Sequence, residues 1–122
     1  MSAGWIGVDL DGTLAVYTGW QGELHIGTPV PAMLFRVKKW VSEGRMVKIV
    51  TARVAPGSSF NRDGTKHDLD MVRKAIVLWC LEHVGAALPV THEKDYAMIE
   101  LWDDRCVQVE ANTGRRMDGR PG

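Results

Sequence analysis

Four short apolar runs in this chain each stop on a residue carrying a side-chain oxygen, and stretches of helical period separate the first three. The runs are Trp5-Ile6-Gly7-Val8 before Asp9, Met46 to Val50 before Thr51, Leu88-Pro89-Val90 before Thr91, and Met98 to Trp102 before Asp103-Asp104. Short apolar runs of this kind read as buried strands. Between the first two, Pro29 and Pro31 open a helix whose Met33, Leu34, Val37, Trp40 and Val41 recur at helical spacing, with Gly44 as its stop. A second helix puts Val72, Ala75, Ile76, Trp79, Cys80 and Val84 on one face and closes at Gly85. Strand, helix, strand, helix, strand predicts right-handed crossovers and an α/β fold: a single doubly wound, mostly parallel sheet with helices on both faces. Ligands of such sheets gather at the carboxyl ends of the strands. The chemistry is therefore expected at Asp9, Thr51, Thr91 and Asp103.

Residues 1–110 read as the folded unit, with Cys106 to Val109 as a fifth strand. Residues 111–122 have little to bury and are expected to form a flexible tail. The glycine-punctuated stretch from Gly12 to Gly27 suggests a loop or hairpin lying over another element. Lys plus Arg and Asp plus Glu number 15 each in 122 residues, so no global field draws in polyanions or anionic membranes. No stretch approaches the roughly 20 apolar residues of a membrane span. With Cys80 and Cys106 in apolar patterns and no metal spacing, a reducing cytoplasmic setting is expected.

Asp9-Leu10-Asp11-Gly12-Thr13 is the sharpest motif. Leaving a strand, residues two apart point the same way, so two carboxylates converge on one spot. That arrangement is unfavourable unless a cation or a proton sits between them. Gly12 permits a sharp turn and Thr13 can satisfy it. Asp103-Asp104 adds carboxylates at the same edge, and hard oxygen donors without His or Cys suit Mg²⁺ rather than zinc. Alone, Asp103-Asp104 would be a solvated acidic turn, Thr51 a turn cap and Lys94 a surface charge. Together, Thr51 and the backbone at Ala52 can hold a phosphoryl oxygen and Lys94 can offset its charge.

These motifs, in this order, resemble those of the haloacid dehalogenase superfamily: Asp9 to Leu14, a strand ending on Thr51, then Lys94, then Asp103-Asp104. The resemblance spans residues 4 to about 110, and Asp103-Asp104-Arg105 is also similar to the phosphatase domain of phage polynucleotide kinase. It implies a small capless phosphatase. Asp9 would be the nucleophile, passing through an aspartyl-phosphate. Asp11 would be the acid and base, with its backbone carbonyl on the metal. Thr51, Ala52 and Lys94 would hold the phosphoryl group, and Asp9, Asp11, Asp103 and Asp104 would hold Mg²⁺.

Eight residues separate Lys94 from Asp103, which leaves little room for the helix many relatives carry there and keeps Lys66 open as the cation instead. The implied substrate is a phosphorylated small molecule, a nucleotide or a nucleic-acid end. The segment holding Tyr17, Trp20 and His25 would be a mobile flap in relatives. Trp20, Arg53 and Lys66 are the candidate substrate contacts, although Arg53, Arg62, Lys66 and Arg105 taken singly read as solvated charges. The other class is a non-catalytic metal- and phosphate-binding module, such as a receiver-like phospho-acceptor. A receiver's acceptor, however, closes its third strand, where this chain has Thr91.

Overall fold

The computed structural model describes residues 4–57 and 68–121. β1 (Trp5–Asp9), α1 (Pro31–Ser42), β2 (Met46–Val50), a 3-10 turn (Ala52–Val54), α2 (Leu69–His83), β3 (Val90–Thr91) and β4 (Met98–Trp102) follow in chain order. All strand pairs are parallel and the sheet order is β3-β2-β1-β4. The fold is α/β. Every strand therefore delivers its carboxyl end to one edge, and the chain order reverses at β1, where a crevice forms between the ends of β1 and β4.

The helix boundaries have local causes. Pro31 opens α1, where a missing N–H costs nothing. Gly44 ends it with φ +77, donating to Val41 O while Arg45 donates to Trp40 O. Asp68 caps α2 by accepting from the N–H groups of Asp70 and Met71.

Ile6 and Val8, with their register partners Val47 and Ile49, and Leu10 just beyond the strand form one core with Met33 and Val37 of α1 and Val72, Ile76 and Cys80 of α2. Both helices therefore bury their stripes on the same sheet face, whereas the sequence pattern placed helices on both. Two right-handed crossovers in the same direction, β1 to β2 to β3, put both helices on one side. The return from β3 to β4, residues 92–97, is too short for a helix on the other. There, Lys48 Nζ lies 4.5 Å from the centre of the Trp5 ring, and Trp5 Nε1 donates to Asp95 at 2.8 Å. Gly7 lets Val50, Leu101 and Met98 close over the strand, where a Cβ would meet them at 3.0–3.2 Å.

Beyond β4, the expected fifth strand is absent among the described residues. Val109 makes only an isolated antiparallel bridge with Arg116, across a turn that places Asn112 at φ +67. Glu110 pairs with Arg115, and Arg116 with Asp118 at 2.7 Å, so the expected tail carries pairing of its own. No helix among the described residues is long and apolar enough to cross a membrane.

Candidate functional site

After β1, the chain coils tightly before it reaches the loop above the sheet edge. Leu14 and Ala15 both donate to Leu10 O, and Gly12 donates to Ala15 O. Residues 16–28 then leave and return through a narrow stem: Ala15 pairs with Pro29, and Val16 donates to Thr28 O at 2.8 Å. Tyr17 and Trp20 on this loop line a cleft of about 480 Å³ together with Asp9, Asp11, Thr51, Ala52, Arg53, His92, Asp103, Asp104 and Arg105.

Three carboxylates meet at the floor. Asp9, Asp103 and Asp104 each offer an oxygen, all within 4.8 Å of one another. Burial pushes the Asp9 carboxyl up to about 7, and the charge of Asp103, a hydrogen bond shared with Asp104 and the charge of Asp104 add to the effect. Gly12, at φ +87, makes room for this convergence, since a Cβ there would stand 2.6 Å from Asp104 Oδ2. Thr13 braces it. Its hydroxyl lies 3.1 Å from Asp104 Oδ1 and 3.4 Å from Asp9 Oδ2, and it accepts the Asp104 N–H at 3.0 Å. The donor set is oxygen only and carries concentrated negative charge, which suits a hard divalent cation.

Asp11 is in the cleft but outside that trio. Its two oxygens accept from Arg53 Nε at 2.7 Å and Nη2 at 2.8 Å, a bidentate pair. Arg53 also donates from Nη1 to Glu23 O at 3.0 Å, and its guanidinium stacks 5.0 Å from the centre of the Trp20 ring. The side chain is only 6% exposed, so Arg53 is a buried partner of Asp11 rather than a solvated charge. Burial of an arginine demands such pairing.

Thr51 is buried and caps the 3-10 turn by accepting the Arg53 N–H at 3.2 Å, while its own N–H donates to Thr91 O. Ala52 is exposed beside it. Lys94 is exposed and is not among the residues lining the cleft. Lys66 and Arg62 lie outside the described residues, and His25 is exposed and does not line the cleft.

Two further residues belong to the cleft region: His92, which no motif marks out, in its lining, and Thr13, expected as a turn residue, as the brace of Asp104. His92 follows Thr91 at the same strand edge, and that position was the available signal. Comparison with family models, curated proteins and solved structures returns no match.

Proposed function

We propose that this protein is a divalent-cation-dependent phosphomonoester hydrolase of the haloacid dehalogenase kind, with Asp9 as its nucleophile. The observation that carries the reading is the meeting of Asp9, Asp103 and Asp104 at the floor of an open cleft, with Asp11 two residues along and Thr51 on the wall.

Asp9, Asp103 and Asp104 would hold Mg²⁺, which supplies charge neutralisation for the carboxylates and for a phosphoryl group. In the first step a carboxylate oxygen of Asp9 attacks phosphorus, and the bond to the leaving oxygen breaks as Asp11, freed from Arg53 and carrying a proton, gives that proton to it. In the second, Asp11 takes a proton from water, whose oxygen attacks the aspartyl-phosphate and releases inorganic phosphate and free Asp9. Thr51 and the backbone at Ala52 orient the phosphoryl oxygens. Arg53, which lines the cleft, would provide the positive charge in place of the exposed Lys94. Both Asp11 oxygens are engaged by Arg53, so the pair opens for either proton transfer, and a phosphoryl oxygen competing for the guanidinium is the natural cause.

One observation favours a second reading, a metal- and phosphate-binding module without turnover: the same bidentate pair occupies the acid that turnover needs. Phosphate release from a panel of phosphomonoesters, with Mg²⁺ and with EDTA, separates the two. The hydrolase reading expects release that EDTA abolishes and that Asp9→Asn lowers by about 10⁴ or more. A wild-type protein that binds Mg²⁺ and phosphate yet releases nothing supports the module.

A further inference from the structure

We propose that the ligand of this cleft is a nucleoside phosphate whose base lies against Trp20, an inference that rests on the phosphatase reading of the same site. A phosphoryl group alone would leave most of a cleft of about 480 Å³ empty. That volume falls within the roughly 300–1,000 Å³ of sites that enclose a whole small molecule.

The upper wall is aromatic. Trp20 is 51% and Tyr17 41% exposed, on the loop over the carboxylates, and neither joins the core. The Trp20 ring keeps about half of its surface exposed where it lines the cleft. It is nonetheless held in place. The Arg53 guanidinium stacks on its ring and is itself fixed by Asp11 and by the Glu23 carbonyl. A ring set in place before the ligand arrives, lining the same cleft as the acidic floor, is the arrangement that stacks a base without reading its edges. The same guanidinium touches both the base platform and the carboxylate of Asp11, so one side chain senses both ends of the ligand. A free nucleotide and the terminal nucleotide of a strand share this chemistry.

The test compares adenosine 5′-monophosphate, ribose 5-phosphate and an end-phosphorylated oligonucleotide, with Mg²⁺, on the wild type, Trp20→Leu and Trp20→Phe. Expected is a kcat/KM for adenosine monophosphate about tenfold or more above ribose 5-phosphate. Trp20→Leu should bring that ratio close to one, and Trp20→Phe should keep most of it. A higher rate on the oligonucleotide assigns the strand end; a higher rate on the mononucleotide assigns the free form. Hydrolysis without preference for the base overturns this inference and leaves the hydrolase reading intact. So does an equal fall on both substrates in Trp20→Leu, which marks a ring that only props the loop. Should nothing be hydrolysed, the hydrolase reading fails, and calorimetric binding of adenosine monophosphate against ribose 5-phosphate with Mg²⁺ decides the inference on the same ratio.

Discussion

Asp9 and Asp11 leave the same strand two residues apart, yet they end in opposite electrostatic settings. Asp9 is partly buried against two further carboxylates, and its carboxyl is pushed up to about 7. Asp11 meets a buried guanidinium in a bidentate pair. One position has charge left to be neutralised from outside; the other is neutralised from within the chain. The difference teaches that a repeated aspartate need not mean a repeated role, because the neighbours delivered by other strands decide which carboxylate can accept a cation.

The largest way to sharpen the contrast is to fill the first setting. Mg²⁺ at about 100 times its dissociation constant should stabilise the fold by about 2.7 kcal/mol, read from the thermal midpoint. The pH dependence follows from the sign of the Asp9 shift. Its carboxyl rises from the ordinary 3.8 to about 7 because burial, then Asp103 and Asp104, disfavour the charged form. The folded state thus holds the proton more tightly than the unfolded chain. The resulting stability is complete below 3.8 and is lost as pH climbs through about 7. In EDTA, the melting temperature should fall between pH 4 and 7 relative to Asp9→Asn, and Mg²⁺ should remove that fall. A flat difference between the two proteins in EDTA would refute the crowding of the three carboxylates.

The second setting is broken by Arg53→Met, which leaves Asp11 partly buried without its partner. A loss of about 2 kcal/mol is expected in urea unfolding. The double variant Arg53→Met with Asp11→Asn should recover part of it, since the stranded charge is gone. Equal losses in the single and double variants would mean that Arg53 acts by packing against Trp20 alone.

The smallest effect concerns the brace between the settings. Thr13→Val removes the hydroxyl that ties the first loop to Asp104 and should cost about 1 kcal/mol. It should also weaken Mg²⁺ binding severalfold by calorimetry, because Asp104 is then free to swing from Asp9.

The sequence showed some of this plainly and hid the rest. β1, β2 and β4 were legible because each is a short apolar run ending on a polar residue, and both helices because apolar spacing and a terminal glycine agree. The gathering of Asp9, Asp103 and Asp104 followed from parallel strands sharing an edge. The pairing of Arg53 with Asp11 was not legible, since no local period links residues so far apart, and an arginine after a threonine looks like any surface charge. The single-faced placement of the helices follows from crossover direction and a short return link, which a count of strands and helices does not contain. Val107 and Val109 alternate like a strand, but among the described residues the bridge that Val109 makes is to Arg116, across a local turn, and not to the sheet.

The stem at Ala15 and Pro29 has a longer consequence. Gly27 lies so close to the Val16 carbonyl that a Cβ there would stand 2.0 Å from it, which keeps the neck narrow while residues 17–25 stay outside the core. Closing a longer loop through the same neck adds only about 0.6 kcal/mol for each doubling of its length. The roof of the cleft is thereby a part whose length can change at little cost, and with it what the cleft admits, while the acidic floor and the hydrophobic interior beneath keep their present form.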